Sequence, residues 1–141
     1  MKITGIYSPQ HSKTEKLPYF TESVQAGFPS PAQDHFEKQL DLNELLVKHP
    51  AATFFVNVQG ISMIDAGIHS GDILVVDRAL EPVDGKIIIA VVNGEFTVKR
   101  LSKKDNQVWL VSENSEFSDI HINNDTDFEV WGVVTYVINK L

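Results

Sequence analysis

A chain of 141 residues that is 43% hydrophobic is large enough for one domain with a buried core and too apolar to be disordered. The formal net charge of −7 argues against nucleic-acid binding as its main role, and the absence of cysteine excludes disulfides and thiolate chemistry. No stretch is apolar enough to cross a membrane. Val24-Gln25-Ala26 resembles the small-x-small site of a signal peptide, but no apolar segment precedes it. We therefore expect a cytoplasmic protein with no membrane partner.

The first 32 residues show no sustained hydrophobic period and contain four prolines, at positions 9, 18, 29 and 31. This pattern predicts a flexible N-terminal arm over 1–32 and a folded domain over 33–141. Within the arm, Ala26 and Gly27 present little side-chain bulk. Taken alone, this pair is either a loop hinge or a peptide bond able to enter a narrow groove.

Two short helices are predicted after the arm. Ser30 and Pro31 suit the N-cap and first position of a helix in which Phe36 and Leu40 lie one turn apart. Asp41 begins a second capping pattern, followed by an apolar stripe of three leucines at 42, 45 and 46.

From residue 52 onward the sequence predicts mainly strands. Apolar or alternating runs cover 53–58, 73–76, 87–92, 96–101, 108–111 and 128–138. Asn93-Gly94, between two such runs, is a strong hairpin signal. The expected fold is therefore mainly β, with antiparallel sheets and one or two short N-terminal helices.

A serine stands in the glycine-containing loop between the first two of these strands. Gly60 permits a sharp turn just before Ser62, and Gly67 permits another after it. A hydroxyl held at such a turn suits a nucleophile. A lone serine near glycine is nevertheless more often part of an ordinary loop.

Lys99 strengthens the hypothesis that Ser62 is a catalytic nucleophile. Side chains alternate across a strand, so Thr97, Lys99 and Leu101 share one face. If that face is buried, the pKa of the lysine falls, and a neutral lysine is a competent general base for a serine hydroxyl. The five histidines lack metal-ligand spacing, and we predict neither a metal site nor a cofactor.

The motifs in order resemble the self-cleaving LexA/UmuD family of serine-lysine peptidases. They are the segments Phe28-Pro29-Ser30-Pro31-Ala32, Asp41-Leu42-Asn43, Ser62-Met63-Ile64-Asp65 and Gly94-Glu95-Phe96-Thr97-Val98-Lys99, with Lys99 placed 37 residues after Ser62. The resemblance covers about residues 18–138. The 26 residues before Gly27 are too few and too irregular for a DNA-binding helix-turn-helix, so the UmuD branch is favoured over a repressor and no sequence-specific DNA binding is expected.

The resemblance implies a curled β fold of the LexA C-terminal-domain type, a homodimer and self-cleavage. Ser62 would attack the Ala26 carbonyl with Lys99 as base, releasing Gly27, while backbone N–H groups of Ile61 and Ser62 stabilise the oxyanion. It further implies stimulation by a RecA filament on single-stranded DNA and a role as accessory subunit of an error-prone, UmuC-type translesion polymerase in the SOS response.

Two other functions stay open at this point. The chain could be an interaction module of the same fold that does not cleave itself. A signal-peptidase-like enzyme acting on other chains would need a membrane anchor, which we do not expect here.

Overall fold

The computed structural model describes residues 1–10, 16–20 and 36–141. They belong to two compact units, one formed by Met1–Pro9 with His49–Leu141 and the other by Gln10–Lys48. In chain order the described residues form ten strands: β1 Lys2–Tyr7, β2 Lys16–Phe20, β3 Phe36–Asp41, β4 Thr53–Gln59, β5 Ile73–Asp77, β6 Ile87–Val92, β7 Glu95–Lys104, β8 Gln107–Val111, β9 Ile120–Ile122 and β10 Phe128–Ile138.

The larger unit is one curled sheet of eight antiparallel strands in the order β1-β4-β5-β10-β6-β7-β8-β9. The last strand in the chain, β10, lies in the middle and pairs with both β5 and β6. The mainly β fold predicted from the sequence is confirmed. The β4–β5 and β6–β7 pairs bring the serine loop and the lysine strand into the same sheet.

The smaller unit contains the antiparallel pair β2–β3 and the short helix α1, Leu42–Leu46. Asp41 caps this helix, its carboxylate accepting the Asn43 N–H at 2.9 Å, so the capping residue is confirmed. The helix predicted through Phe36 and Leu40 is wrong, because both residues lie in β3. Two apolar residues one turn apart fit a strand equally well, and pairing with β2 decides between them.

The start of the chain adds a strand to the main sheet. Residues 2–7, part of the predicted arm, pair as β1 with β4. The segment is short and mixed in polarity, so its own pattern does not reveal a strand. The boundary at residue 32 stays a prediction, and Ala26, Gly27 and the predicted cap Ser30-Pro31 lie outside the described residues.

The β6–β7 hairpin forms as predicted. Asn93 and Gly94 have φ angles of 48° and 83°, which are the paired positive values of a tight two-residue turn. The turn sets the register Val92↔Glu95, and from it Ile88 comes to lie opposite Lys99.

Two clusters of fully or nearly buried side chains form the core of the sheet. Neighbouring residues of β6, Ile88 and Ile89, enter different clusters because adjacent side chains in a strand point to opposite faces. Met63, the residue after the candidate nucleophile, is fully buried in the cluster of Ile89. The serine loop is thus anchored in the core by the side chain next to Ser62.

Gly132 of β10 is a position where a side chain does not fit. A Cβ atom added there would lie 2.5 Å from Cγ1 of Val76, which is fully buried. We expect Gly132→Ala to lower the free energy of unfolding by about 1–3 kcal/mol, measured by denaturant titration. Gly5→Ala is the matched control: its Cβ would lie 2.8 Å from the hydroxyl oxygen of Tyr7, but that residue is 56% exposed and its side chain can move. Equal losses in the two variants would contradict this account.

Candidate active site

Ser62 lies in a tight loop that begins where β4 ends. Gly60 turns the chain with a φ of 109°, and a 3-10 turn over Ile64–Ala66 ends at Gly67, whose φ is 83°. These glycines adopt conformations that other residues rarely take. The turns direct Ser62 inward, where its residue surface is only 1% exposed.

Hydrogen bonds hold the loop at its base. The Gly71 N–H donates to the Val58 carbonyl at 2.8 Å, and the Gly60 N–H donates to Ser70 Oγ at 3.1 Å. Asp72 is buried, and its carboxylate accepts the His69 N–H and the Asn139 side-chain amide, each at 2.7 Å. A loop fixed in this way keeps its hydroxyl in one position, as a nucleophile requires.

Lys99 reaches this hydroxyl from β7. Its residue surface is 6% exposed, and its Nζ donates a hydrogen bond to Ser62 Oγ at 3.1 Å. The two candidate catalytic residues, 37 positions apart in sequence, are therefore in contact. This distance is within the range in which a base takes a proton from a hydroxyl.

A second amine meets the same hydroxyl. The Met1 amino group donates to Ser62 Oγ at 2.8 Å. Burial, and then the nearby charge and hydrogen bond of Lys99, lower the pKa of the Met1 amino group to about 6. Burial also lowers the pKa of Lys99, and the hydrogen bond with the Met1 amino group partly offsets this by raising it. The site thus favours neutral amines beside the serine.

An open groove of about 970 Å³ runs past Lys99. Apolar side chains from three parts of the chain line it, including Ile3, Phe96 and Phe117. Phe96 and Phe117 are 40% and 42% exposed, respectively. A groove of this size with partly exposed aromatic walls can receive an extended peptide.

The backbone N–H groups of Ile61 and Ser62, predicted as oxyanion donors, are available for that role. Neither donates a hydrogen bond to another described residue. The Ile61 carbonyl, in contrast, accepts from the Asn114 side chain at 2.9 Å and from the Ile64 N–H at 3.3 Å. Within the part of the chain that the structure describes, the carbonyl is therefore occupied and the two N–H groups have no acceptor, as the predicted oxyanion role requires.

Sequence reasoning missed the segment after β8, Ser112-Glu113-Asn114. The Glu113 carbonyl accepts the Asp65 N–H at 2.8 Å, and the Glu113 N–H meets Met63 Sδ at 3.4 Å. With the Asn114–Ile61 bond, this segment braces the serine loop from one side. No motif marks these residues, and only the register of β7 and β8 could have placed them near Lys99.

The histidines have other neighbours. His69, close to Ser62 in sequence, is exposed, and its ring lies 3.3 Å from the Asn139 amide. His49 pairs with Asp77 at 2.6 Å.

Among the described residues, no three or more His, Asp or Glu side chains gather as metal ligands. The same residues include no helix with the length and hydropathy of a membrane span.

A buried lysine within hydrogen-bond distance of a serine hydroxyl, beside a peptide-sized groove, is the arrangement of a serine-lysine hydrolase. Residues 18–135 match the Peptidase S24-like family. The chain belongs to this family, which confirms the assignment made from the motifs.

Close relatives cover most of the chain. It is 42% identical to Protein MucA of Salmonella typhimurium over 137 residues, 96% of this chain and 93% of that protein. It is 48% identical to Protein ImpA of Escherichia coli over 124 residues, 87% of this chain and 83% of that protein. The LexA repressor of Ectopseudomonas mendocina is 36% identical over 141 residues, 99% of this chain but 68% of the repressor.

Proposed function

We propose that this chain is a serine-lysine autopeptidase that cleaves its own Ala26-Gly27 bond. The observation that carries the proposal is the 3.1 Å contact between Lys99 Nζ and Ser62 Oγ, with both residues buried. Membership of a peptidase family and the lowered pKa of the lysine support it. Burial is what turns a lysine, ordinarily charged at neutral pH, into a base.

The reaction divides into two acyl transfers. Neutral Lys99 takes the Ser62 proton as Oγ attacks the Ala26 carbonyl carbon, and the negative oxygen is stabilised by the Ile61 and Ser62 N–H groups. The C–N bond then breaks, and Lys99 gives its proton to the Gly27 nitrogen. Water then loses a proton to Lys99 and attacks the ester carbonyl carbon; the bond from that carbon to Oγ breaks, Lys99 returns the proton to Ser62 Oγ, and residues 1–26 are released.

The Met1 amino group must leave before this reaction. It lies 2.8 Å from Ser62 Oγ, where the Ala26 carbonyl carbon has to approach. When the arm docks, the Ala26 carbonyl therefore replaces the Met1 amino group beside Ser62. Because such an exchange costs free energy, the isolated protein should cleave slowly and a partner that favours docking should accelerate it.

The relatives support a role in the SOS response. In this proposal a RecA filament on single-stranded DNA stimulates cleavage, and the product, a homodimer of residues 27–141, serves a UmuC-type translesion polymerase in the cytoplasm. The cleaved bond lies within residues 1–32, whose first part forms β1 of the main sheet, and 33–141 is the peptidase-like domain. The alternative, an interaction module that does not cleave, shares the fold but makes no use of the Ser62–Lys99 contact.

Incubation of the intact purified protein distinguishes self-cleavage from the role of a non-cleaving interaction module. We expect a fragment beginning at Gly27, identified by mass and N-terminal sequencing, to appear slowly alone and faster with a RecA filament on single-stranded DNA. Absence of any fragment under both conditions would leave the interaction module as the function. A fragment starting elsewhere would show that the cleaved bond is misplaced.

The small size of Gly27 gives a further prediction. Gly27→Glu places a side chain and a charge where the groove must admit the scissile peptide, and we expect cleavage at this bond to slow about a hundredfold or more. The rate is measured by gel densitometry. Ser30→Glu adds the same charge to the arm three residues later and should cleave close to the wild-type rate. Similar rates in Gly27→Glu and wild type would contradict the site.

A further inference from the structure

Strand β1 is bound to the main sheet by pairing that the proposed cleavage does not touch. Its residues pair antiparallel with β4, from Lys2↔Gln59 to Tyr7↔Phe55. β1 is the edge strand of the sheet and covers the edge of β4. Hydrolysis between residues 26 and 27 would cut the covalent link from β1 to β4, but it would break none of these pairings.

Apolar packing adds to the contact between β1 and the sheet. The Ile3 side chain packs against the buried cluster that contains Val58 and Met63, and Met1 packs against the same cluster. Val58, which lies opposite Ile3, is fully buried. If β1 left, these apolar groups would face water and the backbone of β4 would lose hydrogen-bond partners along this edge.

β1 also forms one wall of the groove beside Lys99. Lys2 and Ile3 line the groove together with Phe96 and Thr97 of β7. Residues 1–9 therefore belong to the same compact unit as the main sheet, although residues 10–48 of the other unit separate them from it in the chain.

The proposed reaction does not require β1 to leave. The strand ends at Tyr7, at the far end of β4 from the serine loop. From there, residues 8–26 span roughly 60 Å when extended, whereas the strand itself is only about 17 Å long. The Ala26 carbonyl can therefore reach Ser62 while β1 stays paired and only the Met1 amino group moves aside.

We propose that the edge of β4 is a binding site for β1 that remains occupied after cleavage: hydrolysis leaves residues 1–26 bound to the sheet as a noncovalent strand, and the edge becomes free only when this fragment dissociates. The inference rests on the proposed cleavage of the Ala26-Gly27 bond. That reaction adds one water across the bond, giving a carboxylate at Ala26 and an amine at Gly27. Cleavage and exposure of the β4 edge are then two separate steps.

What cleavage changes is the effective concentration of the strand. In the intact chain β1 is tethered to its site, and a flexible tether supplies an effective concentration on the order of millimolar. In the cut chain the site must be filled from solution. Dilution or a competing strand should therefore release β1 from the cut chain and not from the intact one.

The test uses a cut that does not depend on self-cleavage. A recognition sequence for a site-specific protease is inserted between Ala26 and Gly27 of Ser62→Ala, and the purified chain is cut to completion, as judged on a denaturing gel. We expect the N-terminal fragment to elute with the remainder in gel filtration at about 100 μM protein, below the effective concentration of the tether. Separate elution of the fragment would overturn the inference.

Free peptides identify the strand that holds the fragment. A synthetic peptide of residues 1–9, added in excess to the cut protein, should displace the fragment and take its place, which native mass spectrometry detects. The same peptide with Ile3→Asp should compete at least about tenfold less well, because a carboxylate does not replace an apolar side chain in the cluster.

A peptide with Thr4→Asp is the matched control. It carries the same charge one residue later, at an exposed position, and should compete like the unaltered peptide. Only the peptides are altered, so the outcome does not depend on whether a variant protein folds. Equal competition by all three peptides, or by none of them, would show that β1 is not what holds the fragment.

Wild-type protein that has cleaved itself keeps this test apart from the proposed function. If the fragment stays bound in the protease-cut protein but the wild type never cleaves itself, the proposed function alone fails. If the wild type cleaves itself and either cut protein loses the fragment, the strand site fails and the proposed function stands.

Discussion

Ser62→Ala and Lys99→Met are each expected to reduce self-cleavage about a thousandfold or more, to a level that a gel does not detect. In the proposed mechanism Ser62 Oγ is the attacking atom, and Lys99, whose Nζ lies 3.1 Å from it, is the base. When one member of such a pair is removed, the other has little to act on, so the two losses should be similar and the double variant no slower.

Matched variants show whether the effect is specific. Lys104→Met is the control for Lys99→Met, because Lys104 is an exposed lysine on the same strand. Ser115→Ala is the control for Ser62→Ala, because Ser115 is an exposed serine. Both control variants should cleave like wild type. Lys99→Met should be at least as stable as wild type to denaturant, because it replaces a buried amine with an apolar side chain of similar length. Clear cleavage by either Ser62→Ala or Lys99→Met would exclude the mechanism.

The sequence predicts well those parts of the fold that depend on neighbouring residues in the chain. The alternating runs from Thr53 onward became strands, and Asn93-Gly94 fixed a hairpin because both residues accept a positive φ. That hairpin sets the register of Lys99. The glycines of its loop single out Ser62, and the apolar strand singles out Lys99; the family motifs match both residues at their separation of 37 positions.

The parts that the sequence did not reveal depend on contacts between distant segments. β10 enters the sheet between β5 and β6, a pairing with no local signal. Phe36 and Leu40 fit a helix by spacing, yet pairing with β2 makes the segment a strand. The contacts of Glu113 and Asn114 with the serine loop likewise depend on the β7–β8 pairing, which no motif marks.

The pH dependence of cleavage follows from the buried lysine. Burial lowers the pKa of Lys99 from its ordinary value of 10.5, and only the neutral form accepts the Ser62 proton. Without a partner, the rate should rise about tenfold per pH unit while the lysine is mostly charged and level off above its pKa in the docked state. The Met1 amino group, with a pKa of about 6, changes charge below this range. The measurement is the initial rate of Gly27-fragment formation from about pH 7 to about pH 10.

The same lowered pKa predicts a change in stability that does not depend on cleavage. Because folding depresses this pKa, the unfolded chain binds more protons between the folded value and 10.5, so stability rises with pH across that window. Below the folded pKa the full cost of the buried charge is present, and at 10.5 it has been removed. Denaturant titrations of Ser62→Ala, which stays intact, should therefore gain stability over this window relative to Ser62→Ala/Lys99→Met. If the two stability curves ran parallel, Lys99 would titrate as an ordinary surface lysine. In the cleavage experiment, a flat rate profile or a maximum in acid would assign the base to a carboxylate or to His69 instead.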